Sequence, residues 1–324
     1  MNGISVIVCC YNSAARLHAT IQHLAQQQVP VNIAWEVLIV DNASTDDSGN
    51  VALKEWEKYN CKAGFRVVRE EKAGLNHARM CGVTAAQYEC IVFCDDDNWL
   101  EANYLSNAFS IMQANARIGA LGGQSKPAFE TGDVPKWFEQ EKESFAVGKQ
   151  AQQTGDISAI GNVWGAGQVT RRSLYLKAFE KVPSVLTDRK GDNLNSGGDT
   201  EYCCRLLLMN YILYYDELLL FTHYIPVQRL TDSYKTALHK AFSESHIITV
   251  MYHLMMITKR SSFIEKNTLL GKSLIKYCIS SARLFNKTTP AYERMMLYFL
   301  TGSNFIRVSP EAKAIYRFAQ ATDK

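Results

Sequence analysis

The sequence contains no Gly-x-Gly-x-x-Gly after its first apolar run and no Gly-x-x-x-x-Gly-Lys-Ser/Thr anywhere. The two common glycine cradles for phosphate are absent, which argues against a dinucleotide oxidoreductase and a phosphate-loop ATPase. Lysine and arginine form no dense block and the formal net charge is only +3. Nothing therefore points to nucleic acid as a partner. The longest apolar candidate, Ile247 to Ile257, is broken by Tyr252 and His253. It is too short for a bilayer, which takes ~20 residues. Neither Cys-x-x-Cys nor a Cys/His zinc spacing occurs among the nine cysteines. An odd number of thiols, mostly inside apolar runs, predicts reduced, packed cysteines and a cytosolic protein. No basic region, apolar segment and small-residue cleavage site precedes the first strand, so the expected location is cytoplasmic, at most at the inner face of the membrane.

What is present is an ordinary globular composition, 47% hydrophobic over 324 residues, long enough for roughly two domains at ~150 residues each. Ile4 to Cys10 reads as a buried strand, and a helix follows in which Ser13 is the expected cap and Leu17, Ile21 and Leu24 keep helical spacing. A second strand, Glu36 to Val40, runs into the polar loop Asp41 to Ser48. A third strand lies at Phe65–Val68, and a helix opens at Gly74. Strand and helix thus alternate over the first ~100 residues, which predicts parallel strands joined by right-handed crossovers.

The next strand, Ile91 to Cys94, breaks into Asp95, Asp96 and Asp97. In an extended backbone Asp95 and Asp97 point one way and Asp96 the other. Two carboxylates on one side of a strand end can share Mg²⁺ or Mn²⁺, hard cations that complete their shell with phosphate oxygens. A solvated acidic turn is the alternative. A buried strand favours a site, because ligands of open α/β sheets gather outside the carboxyl ends of strands.

Further on, the glycines of Ile118–Gly123 predict a strand in close backbone contact. Residues 125–160 read as loops and short helices over the site, and 190–198 as a loop. Asp199 falls at the cap or first turn of a helix, where a carboxylate is favoured. Strand character runs from Ile212 to Phe221, and Thr222 to Pro226 are expected to leave the sheet. Helices are expected near 232–258, 267–285, 290–300 and 309–320.

Six motifs in order, Ser5–Asn12, Val40–Asp46, Gly74–Arg79, Asp95–Asp97, Trp164–Gly167 and Gly197–Glu201, resemble the family-2 type inverting glycosyltransferases of the GT-A fold. The resemblance covers roughly Ser5 to Arg229. It implies an α/β GT-A fold, with a mostly parallel central sheet flanked by helices and a C-terminal helical extension. The catalytic domain would be 1–230, divided into a nucleotide-binding half, 1–115, and an acceptor-binding half, 116–230. The extension would be 231–324. By the same resemblance Cys10, Tyr11 and Asn12 hold the nucleotide, Asp41 reads the base, and Arg79 contacts base or phosphate. Asp97 ligates Mn²⁺ or Mg²⁺, Asp95 reaches metal or ribose, and Asp96 orients the nucleotide. Asp199 is the general base.

The residues themselves leave alternatives open. Asp41 can simply close its own loop, and Asp199 can be only a cap. Glu201 can supply a second carboxylate toward the acceptor, since Gly198 stands where many members carry Glu. His223 can complete the metal shell or pack among its apolar neighbours, and Arg229 can reach the diphosphate or form a surface ion pair. Trp164 can stack on the acceptor sugar or belong to the core.

The Gln-x-x-Arg-Trp motif of processive synthases is absent, so transfer of a single sugar is expected, from a nucleoside-diphosphate sugar to a glycan or lipid-linked acceptor. The apolar Val250, Leu254 and Ile257 beside Lys259 and Arg260 suggest a peripheral membrane contact, a homodimer contact, or completion of the fold. A sugar-nucleotidyltransferase would need a glycine-rich basic loop where Cys10–Ser13 stands. A non-catalytic sugar- or nucleotide-binding module on a related scaffold is the remaining alternative.

Overall fold

The computed structural model describes residues 3–322 apart from 187–188, 190–193, 195–196 and 283–288, so most of the loop expected at 190–198 lies outside the described residues. In chain order, β1 (Gly3–Cys10), α1 (Leu17–Ala25), β2 (Ala34–Asn42), α2 (Ser48–Trp56), β3 (Gly64–Glu70), α3 (Leu75–Ala85) and β4 (Cys90–Asp95) keep the expected alternation. β5 (Asn98–Leu100), α4 (Tyr104–Ala114), β6 (Ile118–Phe129), α5 (Phe138–Glu141), β7 (Gly148–Lys149) and β8 (Gly155–Asp156) follow. Next come β9 (Val169–Arg171), α6 (Arg172–Glu180), α7 (Gly198–Leu208) and β10 (Ile212–Ile225). The chain closes with α8 (Asp232–Arg260), α9 (Phe263–Ala282), α10 (Thr289–Thr301) and α11 (Pro310–Ala321).

Among the described residues one sheet runs in the order β3-β2-β1-β4-β9-β6-β10-β5, with β7 on β6 and β8 on β10. The first four strands are parallel. β9 is antiparallel to both β4 and β6, and β6 and β10 are again parallel. Burial on both faces explains the continuous apolar runs of the central strands. Ile7 packs with the α3, α7 and α8 side, whereas Val6 and Val8 pack with the α1 and α4 side, the period-two alternation of a strand between two helical layers. Leu17, Ile21 and Leu24 of α1 are all fully buried, each worth about 1.5–3 kcal/mol over exposure.

Three expectations need correction. Ser13 does not cap α1, whose preceding residue is Arg16; a turn intervenes, and the Ser13 hydroxyl donates to Asp96 instead. The segment Thr222–Ile225 does not leave the sheet, because it pairs with Lys126–Phe129. The strand Ile118–Gly123 likewise extends to Phe129, carried by the same pairing. A Cβ on Gly123 would lie 1.8 Å from the Leu219 carbonyl oxygen, beside the register shift between Tyr215 and Leu220. Glycine is what permits that approach.

The helical tail is not an appendage. Met251, Tyr252, Leu254 and Met255 of α8 share a core with Tyr202 and Cys203 of α7 and with Phe318 of α11. Of the tail residues for which a surface contact or completion of the fold was expected, Leu254 is 2% exposed and completes the fold, whereas Ile257, one turn on, is exposed. No described helix is long and apolar enough to cross a membrane.

Candidate active site

The carboxyl ends of β1, β2 and β4 open into a cleft of about 730 Å³. Cys10, Tyr11, Asp95, Asp96 and Asp97 line one side of it, with Arg79. Trp164, Asp199 and His223 line the same cleft. β4 ends at Asp95, and a turn carries Asp96 and Asp97 into β5. The three carboxylates go to different partners. Asp96 turns toward α1, where its Oδ2 accepts from Arg16 Nη2 at 2.7 Å and from the Ser13 hydroxyl. Asp97 turns toward β10. The β5–β10 pairing sets Asn98 opposite His223, and the Asp97 carbonyl accepts from Tyr224 N at 2.9 Å.

This backbone pairing puts His223 Nε2 3.4 Å from Asp97 Oδ1 and Arg229 Nη1 2.9 Å from Asp97 Oδ2. Burial disfavours the Asp97 anion, but Arg229 and His223 outweigh it and hold the carboxyl well below the ordinary carboxylate range. For Asp95 the balance goes the other way: burial, then the charge of Asp97, raises its carboxyl against the pull of Arg79. Asp96 is likewise raised, by burial and Asp97, with Arg16 opposing. Unlike environments thus separate three successive carboxyls.

On the far wall, Gly197 has φ 123° and precedes α7, which places Asp199 in the first turn. Asp199 is not the cap. Its Oδ2 accepts from Gly165 N at 2.8 Å and its Oδ1 from Thr200 N at 2.8 Å. A carboxylate has about four acceptor positions, so among the described residues two remain. A Cβ on Gly165 would lie 2.6 Å from Arg79 Nη2 and 3.2 Å from Asp199 Oδ2, so a larger residue would push both side chains from their present positions. The Trp164–Gly167 motif is therefore the joint at which Arg79 and Asp199 approach each other.

Three expected residues lie elsewhere. Glu201 is not an acceptor residue: it is 1% exposed, pairs with Arg205 at 2.7 Å, and accepts from Ser184 Oγ, Val185 N and Leu186 N. Two positions past Asp199 on the same helix, its side chain faces the core. Asp41 is outside the cleft lining, with its oxygens on Ser44 N and Arg69 Nη1 at 3.2 and 2.7 Å. Asn12, at φ 49°, holds the neighbouring loop through Thr45 N. Both shape the loops that bound the cleft rather than its surface.

Other cleft residues were not singled out from sequence. Arg16 balances Asp96. Tyr234, Leu238, Phe242, His246 and Thr249 form a wall from one face of α8. Their spacing of three and four is the only local signal, and it is shared by any helix face. Neither vicinal cysteine pair holds an activated thiol: burial pushes the Cys9 thiol to about 12 and raises Cys203 well above the usual range.

Among the described residues no three His, Cys, Asp or Glu side chains close into a ready metal cage. Asp97 and His223 nevertheless fit an open site. His223 Nδ1 lies 2.7 Å from the Phe145 carbonyl, to which it can only donate, so in the neutral ring the Nε2 lone pair faces Asp97. One carboxylate and one imidazole leave positions for diphosphate oxygens and water, as Mg²⁺ and Mn²⁺ require.

A mixed sheet, parallel over its first four strands and antiparallel around β9, with an acidic cluster after the fourth strand and a second carboxylate lining the same cleft, is the arrangement of the GT-A class of nucleotide-sugar transferase folds. Residues 5–179, more than half of the chain, match Glycosyl transferase family 2. The chain belongs to that family. It is 30% identical over 112 residues to the Cholesterol galactosyltransferase of Borreliella burgdorferi, covering 35% of this chain and 30% of that protein. It is 27% identical over 145 residues to the Poly(ribitol-phosphate) beta-N-acetylglucosaminyltransferase TarP of Staphylococcus aureus, covering 42% and 43%. The chain thus spans less than half the length of these curated relatives. Its fold matches the crystal structure of S. aureus TarS 1-349 in complex with UDP-GlcNAc, with a TM-score of 0.52 at 18% identity, covering 99% of this chain and 88% of that one. It also matches GalNAc-T7 with UDP, GalNAc and Mn²⁺, with a TM-score of 0.52 at 15% identity, covering 68% and 44%.

Proposed function

We propose that this chain is a metal-dependent inverting glycosyltransferase that moves one sugar from a nucleoside-diphosphate donor to a hydroxyl of a glycan or lipid-linked acceptor. The observation that carries the reading is the division of one cleft: the carboxylate cluster with Arg229 and His223 lies at the strand ends, and Asp199 lies across from it with free acceptor positions. A UDP-linked sugar is the donor class supported by the complex with TarS, and Mn²⁺ is the metal supported by the GalNAc-T7 structure. The relatives' names give their own acceptors as cholesterol and poly(ribitol-phosphate), both of which offer hydroxyls.

In this reading Asp199 takes the proton of the acceptor hydroxyl as its oxygen bonds to the anomeric carbon. The bond from that carbon to the diphosphate oxygen breaks on the opposite face, and the configuration inverts. Gly165 N–H aims the carboxylate, and Arg79 and Arg229 meet the charge gathering on the leaving diphosphate. Asp97 and His223 would hold the metal, with Asp95 near, and the bound ion would supply Lewis-acid stabilisation of the diphosphate. Trp164 offers a flat face to the acceptor ring. For the peripheral membrane or dimer contact of the tail, the exposed Phe263, Ile264 and Ile275 of α9 are the available side chains.

The test is Asp199→Asn, assayed against a panel of nucleotide sugars with Mn²⁺. Turnover should fall by roughly 10²–10⁴-fold, while thermal stabilisation by the donor persists. Unchanged turnover would remove Asp199 as the base. Loss of donor binding as well would make it part of the donor site.

A further inference from the structure

Asp97, His223 and Arg229 form a closed triangle. Its edges are 2.9 Å from Arg229 Nη1 to Asp97 Oδ2, 3.4 Å from His223 Nε2 to Asp97 Oδ1, and 3.4 Å from Arg229 Nη1 to His223 Nε2. The Phe145 carbonyl accepts from Nδ1 of the ring, which turns Nε2 toward Asp97. Arg229 Nη1 reaches both that nitrogen and the carboxylate, and so stands where a divalent ion would meet the same two ligands.

Arg229 is also built to leave. It sits on the short turn Val227–Leu230, after Pro226, and its side chain is 21% exposed against 3% for Asp97. It lines the cleft, where a diphosphate would offer it oxygens in the bidentate geometry that guanidinium prefers.

We propose that Arg229 is a positioning residue that occupies the metal position of the empty cleft and is drawn off by the donor's diphosphate, so that metal and donor bind as a pair. Metal entering alone must displace a guanidinium that then loses its anion and gains none in the cleft. Metal entering with diphosphate gives Arg229 a new anion. By linkage the nucleotide raises metal affinity, and the metal raises nucleotide affinity by the same factor. The inference rests on the metal reading of Asp97 and His223 above, and the experiment separates the two.

Mn²⁺ binding to the purified full chain is measured by the electron paramagnetic resonance of free Mn²⁺, with and without UDP, for wild type, Arg229→Gln, Arg229→Lys, and Asp97→Asn in the wild-type and Arg229→Gln backgrounds. In wild type, UDP should tighten Mn²⁺ binding by about tenfold or more, within the usual range of coupling between sites. In R229Q, Mn²⁺ alone should bind more tightly than to wild type, and the added effect of UDP should shrink to about threefold or less. R229K keeps a cation and should keep most of the coupling. D97N should abolish the site in both backgrounds. If UDP-bound wild type holds Mn²⁺ through Asp97 while R229Q alone binds it no more tightly than wild type, the displacement idea is overturned and the metal reading stands. If no Asp97-dependent Mn²⁺ appears with UDP in either wild type or R229K, the metal reading falls and takes the inference with it.

Discussion

Two of the arginine–carboxylate pairs, Arg205–Glu201 and Arg229–Asp97, have nearly equal lengths and opposite designs. Arg205 and Glu201 lie 2.7 Å apart with neither side chain exposed. Every direction is used. Arg205 also donates to the carbonyls of Ala178, Val182 and Pro183 and to the Tyr252 hydroxyl, and lies over the rings of Phe179 and Phe318. Arg229 and Asp97 lie 2.9 Å apart, but apart from Asp97 the hydrogen-bond partner of Arg229 is His223, and its remaining N–H groups border the cleft. The first pair joins α6, α7, α8 and α11 and is saturated. The second sits where a ligand is expected and is left open. Burial and hydrogen-bond completeness, rather than the presence of a salt bridge, separate the structural pair from the functional one.

Cutting each pair on one side should give very different results. Glu201→Ala strands a fully buried guanidinium, and such a loss costs about 3–5 kcal/mol. Urea unfolding of wild type and E201A measures it directly. Replacing both partners, as in Glu201→Leu with Arg205→Met, should recover part of that cost, because no charge is then left buried alone. Arg229→Gln should cost less, about 1 kcal/mol, since Asp97 keeps its bond from Asn98 Nδ2 at 3.1 Å and water can enter from the cleft. Equal losses in E201A and R229Q would erase the distinction between the pairs.

The same contrast explains what was legible in the sequence. The parallel half could be read because its inner strands β1, β2 and β4 are largely buried and announce themselves as apolar runs ending in Asx or Ser, as in Ile4–Cys10 and Glu36–Val40. Asp95–Asp97 and Asp199 fall at a strand end and a helix start, which local patterning locates, and they line one cleft with Arg79 and Trp164. Glu201 was misread because its role depends on Arg205, Tyr252 and the 184–186 segment, which the chain brings together only in three dimensions. Thr222–Ile225 was misread because Pro226 and His223 suggested an exit, whereas pairing with both β6 and β5 holds the strand in place. The α8 wall was hidden for the same reason: a polar-and-apolar helix face does not say whether it meets the core or a cleft. Local signals gave positions, and long-range partners gave roles.

A third carboxylate lies between these extremes and gives the smallest effect. Glu55 of α2 has its side chain only 5% exposed, yet its partners His18 and Lys58 are more than half exposed. Burial alone would raise its carboxyl. Bonds from Lys58 Nζ at 2.6 Å, His18 Nδ1 at 2.5 Å and the Tyr59 hydroxyl at 3.0 Å overcome that and bring it down to about 2. A carboxyl lower in the folded chain than in the unfolded one stabilises fully above its unfolded value, roughly 4.3, and loses that contribution as pH falls toward the folded value. Glu55→Gln should therefore be less stable than wild type at pH 6, and the gap should narrow steadily from about pH 5 downward. Urea midpoints for the two proteins at pH 6, 4 and 3 provide the measurement. The gap should also shrink in high salt, because the charged donor Lys58 reaches the carboxylate from solvent. A gap that is flat with pH would place the stability of this region in packing around Trp56 rather than in the anion. Because its partners lie in water, this pair should behave as a salt-sensitive trim on the fold, unlike the saturated bridge of Arg205 or the open one of Arg229.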